Sequence, residues 1–271
     1  MTSKTTSLEV LQGGLLPAQR RQRIVEFLRS HGAVTLPQLE QALAVSQSTL
    51  RRDLDGLAAD GVVERTHGGA LLKQQGYSAF EPDAHAATEL SPAEKRAIGM
   101  AAAAALEPHQ SVIFDSGTTV LEAARAVVAR NIPLTAVTND LAIAQVLGAA
   151  PGIQVHVLGG QLRPGFTTVL GPSVIEGAAA ISADVLLCGA HAVNAGMLSE
   201  TSAEVAAVKR AFAQSARVRR LLVDASKFRA AALMRVLPLR TFDQVLTDDA
   251  ISEADVEQVR TLGVDLLRVK P

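Results

Sequence analysis

Hydrophobic residues between positions 17 and 72 recur at helical spacing in three stretches and then at the spacing of a short hairpin. Thr35 and Gln38 form a capping-box sequence at the start of the second stretch, and Ser46 has the chemistry of another N-cap before the third. The pair Gly68-Gly69 is a turn signal. The pattern predicts helices from Pro17 to about His31, from Thr35 to about Leu43 and from Ser46 to about Gly61, then two strands over 62–72.

The third predicted helix has one apolar face and one polar, cationic face. Leu50, Leu54 and Leu57 form the apolar stripe, and a rotation of 100° per residue points Ser48 and Arg52 outward. A tight turn before such a helix, with a hairpin after it, is compatible with a winged helix-turn-helix that reads DNA. The candidate DNA contacts are Ser46, Gln47, Ser48, Thr49, Arg51 and Arg52 on this helix, and Arg65 and His67 on the hairpin.

The two arginines of this helix also have a simpler interpretation. An isolated Arg-Arg pair is more often a solvated surface pair, here with Asp53 and Asp55. The helical context favours a contact with DNA, and residues 17–75 carry a surplus of two positive charges. His67 alone is more often a plain surface histidine.

From residue 93 onward, short apolar runs alternate with helical patterns. Such alternation predicts an α/β fold, an open and mostly parallel sheet with helices on both faces. The predicted strands are 111–114, 134–137, 154–158, 185–189, 219–223, 244–246 and 265–268, and the predicted helices are 119–129, 141–147, 174–180 and 203–216.

Ligands of open parallel sheets bind at the carboxyl ends of the strands, so the loops after the strands are candidate sites. Asp115, Ser116, Gly117, Thr118 and Thr119 follow the first strand and open a helix, which offers hydroxyls and unpaired N–H groups to a phosphate. Taken alone, this stretch is more often a capped turn without a ligand. Further candidates follow the next two strands: Asn139 and Asp140, and Gly159 and Gly160.

Composition limits the remaining possibilities. The chain has 271 residues, a formal net charge of -1 and 3% aromatic residues, which argues against a non-specific nucleic-acid coat protein and against a base-stacking single-strand binder. A single cysteine, Cys188, excludes an intrachain disulfide, and no metal-ligand spacing is present. We find neither a secretory signal nor a membrane span, and expect a cytoplasmic protein. The predicted organisation is a tail (1–16), a DNA-binding domain (17–73), a linker (74–92) and a ligand-sensing domain (93–271).

The N-terminal motifs resemble those of a known family. Arg23 and Phe27, the run 46–54 (Ser-Gln-Ser-Thr-Leu-Arg-Arg-Asp-Leu) and the run 65–70 (Arg-Thr-His-Gly-Gly-Ala) are similar to the DNA-binding signature of the DeoR family of bacterial regulators. The resemblance covers nearly all of residues 17–72. It implies a winged helix-turn-helix bound to double-stranded operator DNA, usually as a repressor of sugar or polyol catabolism.

The rest of the chain is similar to the sensor domain of the same family, which in turn resembles ribose-phosphate isomerases. The resemblance is carried by residues 94–99, 115–119, 138–140, 158–160, 207–211 and 226–228. It implies a phosphorylated sugar or polyol effector, with Lys209 and Lys227 as cations, although each alone is more often a surface lysine. Where the family has an acidic or amide residue followed by glycine, this chain has Ala190-His191-Ala192, so His191 is either a ligand contact or a tolerated loop residue.

Three functions remain open at this point. The first is a repressor controlled by a phosphorylated metabolite, which acts as a dimer or tetramer, has no cofactor and is not an enzyme. The second is a sugar-phosphate isomerase with an accessory DNA-binding domain. It is weaker because an isomerase needs a carboxylate to move a proton, and residues 190–192 contain none. The third is an architectural DNA-binding protein, which leaves residues 115–119 unexplained.

Overall fold

The fold is described from a computed structural model that covers residues 17–31, 33–60, 62–66, 68–72, 87–88, 90–228 and 231–271. The predicted N-terminal tail, His67 and most of the predicted linker lie outside these residues. No helix within the described ranges is long and apolar enough to cross a membrane.

The N-terminal part combines three helices with a small antiparallel sheet, as the sequence predicts. Strand order in the sheet is β1-β3-β2, and β1 is an addition that the hydrophobic pattern did not predict. The elements are α1 (Pro17–His31), β1 (Ala33–Thr35), α2 (Leu36–Leu43), α3 (Gln47–Ala59), β2 (Val63–Thr66) and β3 (Gly69–Leu72).

Local sequence explains where these helices begin and how they pack. Thr35 caps α2: its backbone N–H donates to Oε1 of Gln38 at 2.8 Å, and the N–H of Gln38 donates back to the Thr35 hydroxyl at 3.4 Å. Ser46 occupies the N-cap of α3, but its side chain makes no capping bond to the backbone. A core formed by residues between 24 and 72 holds the unit together, with Leu50 and Leu54 of α3 fully buried.

The second part is built on a seven-stranded sheet with all neighbouring strands parallel and the order β15-β14-β12-β9-β4-β5-β6. This confirms the predicted architecture. The strands are β4 (Ser111–Phe114), β5 (Leu134–Thr138), β6 (Ile153–Val157), β9 (Ala183–Cys188), β12 (Ala216–Leu222), β14 (Gln244–Asp248) and β15 (Asp265–Val269). The helices are α4 (Pro92–Ala104), α5 (Thr118–Arg130), α6 (Leu141–Gly148), α7 (Pro172–Ala179), α8 (Ala203–Gln214) and α9 (Glu253–Thr261).

Both faces of this sheet are covered, because side chains alternate along each strand. In β4, Ile113 belongs to one buried apolar cluster, whereas Val112 and Phe114 belong to another. The clusters therefore lie on opposite sides of the sheet. This burial fixes the strands, so the loops at their carboxyl ends have defined positions.

Short antiparallel elements, which the sequence pattern did not predict, are added at the carboxyl edge of the sheet. A hairpin of β7 (Gln161–Leu162) and β8 (Val169–Leu170) follows β6. A three-stranded sheet consists of β10 (Ala192–Asn194), β11 (Met197–Glu200) and β13 (Met234–Pro238). Both additions supply residues to the pocket described next.

Candidate functional site

Helix α3 presents a polar and cationic face to solvent. Ser48, Arg51 and Arg52 are exposed, and Thr49 is partly exposed. The structure gives Arg51 and Arg52 no acidic partner among the residues that it describes. The simpler interpretation, a surface pair with Asp53, does not hold, because Asp53 is buried and pairs with Arg20 and Arg21 of α1. Both arginines of α3 are therefore available to a phosphate or a base edge.

Other predicted DNA contacts are held by the protein itself. The Gln47 side-chain amide donates to Oε2 of Glu40 at 2.7 Å, which ties the start of α3 to α2. Arg65 forms an ion pair with Asp55 at 3.0 Å and donates to the Gly69 carbonyl at 3.1 Å, which fixes the hairpin against α3. The hydroxyl of Ser46 lies 3.2 Å from that of Ser48 and 3.1 Å from that of Thr49. Of the described candidates, Ser46, Ser48, Arg51 and Arg52 are exposed, whereas Gln47, Thr49 and Arg65 are only partly exposed.

A cavity of about 330 Å³ opens at the carboxyl edge of the large sheet. It lies where loops after β4, β5, β9 and β12 meet, as the rule for parallel sheets predicts. The hairpin β7–β8 supplies Arg163 and Phe166, with the guanidinium 3.9 Å from the centre of the ring. The predicted ligand contacts that line the cavity are Ser116, Gly117, Thr118, Thr119, Asp140, His191, Lys209 and Lys227.

The start of α5 is the part of the lining best suited to a phosphate. Gly117 has a φ of +126°, a conformation that side chains rarely adopt, and it lets the chain turn directly from β4 into the helix. The first backbone N–H groups of a helix lack partners within it and carry a partial positive charge. The hydroxyls of Ser116, Thr118 and Thr119 stand beside these groups in the lining.

Four predicted ligand contacts lie outside the lining formed by the described residues. Asp115 is turned toward Lys209, and it also accepts the N–H of Gly189 at 3.1 Å. The Asn139 amide donates to the Val169 carbonyl at 2.8 Å, which fastens the hairpin to the sheet. Gly160 is needed for packing, because a Cβ there would lie 2.4 Å from the Leu170 carbonyl oxygen. Gly159 is exposed beside it. Asp115, Asn139 and Gly160 thus make contacts within the protein, and none of the four residues belongs to the described lining.

Lys209 lines the cavity, and its charge is also used within the protein. Its ammonium is buried, pairs with Asp115 and lies 3.5 Å from Oε1 of Glu200. Burial lowers the pKa of Lys209, but the attraction of the two carboxylates outweighs burial, so the pKa lies above its ordinary value. Lys209 therefore stays protonated and serves first to hold two acidic groups.

One wall of the cavity comes from the segment that precedes α4. Ala87 and Thr88 line the cavity, and the Nζ of Lys95 donates to the carbonyl oxygens of Ala87 at 2.5 Å and Leu90 at 2.6 Å. Lys95 is itself buried in α4. Burial, followed by the nearby positive charge of Lys227, lowers the pKa of Lys95 to about 8.

Family models match both halves of the chain. A model described as "DeoR-like helix-turn-helix domain" matches residues 20–76, and one described as "DeoR C terminal sensor domain" matches residues 91–249. The chain belongs to the DeoR family of transcriptional regulators. An uncharacterized HTH-type transcriptional regulator of Escherichia coli strain K12, YgbI, is 32% identical over 94% of this chain and 99% of its own length.

A second relative of this DeoR-family regulator and one solved structure are also similar to the chain. The glycerol-3-phosphate regulon repressor of Escherichia coli strain K12 is 29% identical over 90% of this chain and 95% of that protein. The structure of ribose 5 phosphate isomerase A from Neisseria gonorrhoeae matches with a TM-score of 0.38 and 15% identity, over 50% of this chain and 53% of that chain. At that level of similarity, the isomerase says nothing about activity.

Some residues of the DeoR-type pocket were not predicted from the sequence. They are Arg163, Phe166, Thr167 and Thr168 in and beside the hairpin, and Glu200 at the end of β11. The run Arg163-Pro164-Gly165 carries a turn signal that could have indicated a hairpin tip. Nothing local in the sequence indicates that Glu200 reaches the loop after β9, because that contact depends on the antiparallel sheet.

Proposed function

We propose that this protein is a repressor of a carbohydrate or polyol catabolic operon, whose binding to operator DNA is controlled by a phosphorylated sugar or polyol. The observation that carries the proposal is the cavity at the sheet edge, where the N-terminus of α5 and its hydroxyls lie in one lining with Lys227 and Arg163. Hydroxyls, helix N–H groups and two cationic side chains together suit a phosphate monoester. The relative named for a glycerol-3-phosphate regulon supports the same ligand class.

The size of the cavity supports a small metabolite. A volume of about 330 Å³ lies at the lower end of the range for ligand pockets. The polar groups Asp140, His191 and Glu200 in the lining are suited to the hydroxyls of a short carbon chain. The proposed repressor acts as a dimer or tetramer, because operators read by helix-turn-helix proteins are usually two-fold repeats.

A thermal-shift screen of the full chain tests this function. Phosphorylated sugars and polyols are added singly, and a true effector raises the melting temperature because it binds the folded state. At a hundredfold excess over Kd, the expected stabilisation is about 2.7 kcal/mol. The unphosphorylated parent sugars are the matched controls. Failure of every phosphorylated compound to raise the melting temperature contradicts the proposal.

The alternative to a regulatory function is an isomerase activity. The sequence argument against it was the lack of an acid in residues 190–192, and the structure weakens that argument, because Glu200 reaches the same loop from β11. We favour regulation because the relatives are named as transcriptional regulators. A turnover assay on pentose and hexose phosphates is expected to show no conversion, and conversion would overturn this choice.

A further inference from the structure

Lys95 of α4 places a buried ammonium against the wall of the cavity at the sheet edge. The residue is 3% exposed, and its Nζ donates to the carbonyl oxygens of Ala87 at 2.5 Å and Leu90 at 2.6 Å. Ala87 belongs to the described lining of the cavity, whereas Lys95 does not. A buried charge is costly unless it is compensated, so the use of this ammonium on two main-chain carbonyls calls for a functional explanation.

The two carbonyls belong to a turn that the chain makes just before α4. The N–H of Leu90 donates to the Ala87 carbonyl at 3.4 Å, and the N–H of Lys95 donates to the Ser91 carbonyl at 3.1 Å, within the first turn of the helix. The ammonium therefore joins the turn to the helix and holds Ala87 and Thr88 at the edge of the cavity. Hydrogen bonds from a charged donor are roughly twice as strong as those from a neutral one, so protonated Lys95 holds this wall more firmly than the neutral amine.

The Lys95 ammonium lies close to the place where we expect the phosphate to bind. A second cavity, of about 440 Å³, is lined by Lys95, and it shares Thr88, Thr118 and Leu121 with the lining of the first. A phosphate at the N-terminus of α5 is therefore separated from Lys95 by a wall to which Thr118 itself belongs. Opposite charges attract across such a wall without direct contact.

The charge on Lys95 is easily changed by its surroundings. Burial is the largest cause of its lowered pKa of about 8, and Lys227 lowers the pKa further, whereas the neighbouring carboxylates act in the opposite direction. The charged side chains around it come from the segment after β12, from α4 and from α5: Asp224, Lys227, Glu94, Arg96, Glu122 and Arg125. Of these, Arg125 and Glu122 form an ion pair with each other. An anion added nearby favours the protonated form of Lys95.

We propose that Lys95 is a positioning residue of the effector cavity that links effector binding to the uptake of a proton: the protonated ammonium holds Ala87 and Thr88 in place, and an anionic effector favours that form. This proposal rests on the proposed function and adds pH to the regulation of the same site. An anion across the shared wall strengthens proton binding by Lys95 about tenfold. By linkage, protonation of Lys95 strengthens effector binding by the same factor, so affinity falls as the pH rises above about 8.

Calorimetric titration of the full chain measures the proton directly. The probes are glycerol 3-phosphate, ribose 5-phosphate and glucose 6-phosphate, with any further phosphorylated compound that raises the melting temperature in the thermal-shift screen. The tightest binder is titrated at pH 8.5 in Tris and in Bicine, and because these buffers have different heats of ionisation, the difference between the measured enthalpies counts the protons taken up. The wild type is expected to take up about 0.5 proton more than Lys95→Met.

The pH profile of affinity separates this role from a merely structural one. Between pH 7.5 and pH 9.5, where a phosphate monoester is already doubly charged, the dissociation constant of the wild type is expected to rise about fivefold relative to that of Lys95→Met. A side chain that only supported the wall would instead lower the affinity of the variant by the same factor at every pH. Lys95→Gln takes the place of the methionine variant if that variant fails to fold.

Lys270→Met is the matched control, because Lys270 is an exposed lysine after β15 and lines neither of the two described cavities. It is expected to match the wild type in both measurements. A wild type that takes up no proton at pH 8.5 overturns the proposal without any variant, and so does equal uptake by the wild type and Lys95→Met. Either result leaves the proposed function standing. If no phosphorylated sugar or polyol binds, the proposed function itself fails, and this proposal with it.

Discussion

At the scale of single residues, folding buries the ammonium of Lys95 near another cation, which disfavours its charged form. Burial and the nearby Lys227 lower its pKa to about 8, whereas Asp224, Glu94 and Glu122 act in the opposite direction. In the unfolded chain the pKa is near its ordinary value of about 10.4. The folded state therefore binds fewer protons than the unfolded state between these two values, and stability rises with pH across that window.

This difference predicts a pH dependence that Lys95→Met removes. Between pH 7 and 9, the free energy of unfolding of the wild type is expected to rise by about 1 kcal/mol relative to the variant. Urea unfolding of both full-length proteins at several pH values measures the difference. Methionine keeps the apolar length of the side chain but does not titrate. A difference between the two proteins that is constant with pH would show that Lys95 keeps its ordinary pKa.

The exposed residues of α3 lead to a second prediction at this scale. Arg52→Ala is expected to weaken binding to operator and to random DNA alike, because a phosphate contact carries no sequence information. Ser48→Ala is expected to change which operator is preferred. Anisotropy titrations with cognate and random duplexes measure both, and Arg217→Ala, an exposed arginine of β12, is the control. Equal losses on both duplexes for Ser48→Ala contradict its assignment.

Single residues were predicted from the sequence only where their role depends on local spacing. The i, i+4 and i+7 pattern placed Leu50 inside the core and Arg52 outside it, since helical geometry alone decides this. Asp53 could not be predicted in the same way, because its partners lie on α1, more than thirty residues away. The same holds for Lys209, whose two acidic partners come from separate loops and strands.

At the scale of elements, the N-terminus of α5 is the part that we expect to bind phosphate. Thr118→Ala removes one hydroxyl from the lining and leaves the helix and the DNA-binding part unchanged. Operator binding should survive, while the half-maximal effector concentration for release of DNA should rise about ten- to a hundredfold. The measurement is anisotropy of labelled operator, titrated with the compound that gives the largest thermal shift.

Thr261→Ala in α9 is the control for this measurement, since the Thr261 hydroxyl is exposed and donates to the Glu257 carbonyl of the same helix. It is expected to respond like the wild type. An unchanged half-maximal concentration in Thr118→Ala would mean that residues 115–119 form only a capped turn.

The close crossing of α4 and α5 allows another test at this scale. A Cβ at Gly99 would lie 2.6 Å from the backbone nitrogen of Ala123, so Gly99→Ala forces apart the helix that carries Lys95 and the helix that carries Thr118. We expect a loss of about 1 to 3 kcal/mol in stability and weaker effector binding. Gly148→Ala, at the end of α6, is the control, because a Cβ there would have no neighbouring atom within 4 Å. If thermal unfolding showed the same loss of stability in both variants, the predicted clash would be contradicted.

Most of the longer elements of this fold were predicted from the sequence, whereas helices α4 and α9 and the short antiparallel strands of the second part were missed. The strands of the large sheet are buried apolar runs whose hydrophobicity is visible in the sequence, as at 111–114 and 183–188. The hairpin β7–β8 has only two residues in each strand, and β13 is joined to β11 across more than thirty residues. Such pairings depend on tertiary contacts, so the sequence did not reveal that Arg163, Phe166, Thr167, Thr168 and Glu200 line the pocket.

At the scale of the whole molecule, the DNA-binding part has an apolar core of its own. Every member of that cluster lies between residues 24 and 72. A fragment of residues 1–75 is therefore expected to fold when severed from the sensor domain, and to bind DNA weakly, because the contacts that join the subunits of the proposed dimer are lost. Circular dichroism and anisotropy on the fragment test this. Full operator affinity in a monomeric fragment would refute it.

Ala87 and Thr88, which form one wall of the cavity, lie along the chain between the DNA-binding part and the large sheet. Any coupling through them between the two binding sites acts in both directions. These residues precede α4 and line the cavity, so the proposed effector would contact the segment that leads into α4. Coupling between two binding sites is reciprocal by thermodynamic necessity. For the proposed effector, operator DNA would therefore act on the sugar site in turn: the factor by which the effector changes the affinity for DNA, typically about 5- to 150-fold, must equal the factor by which saturating operator changes the affinity for the effector.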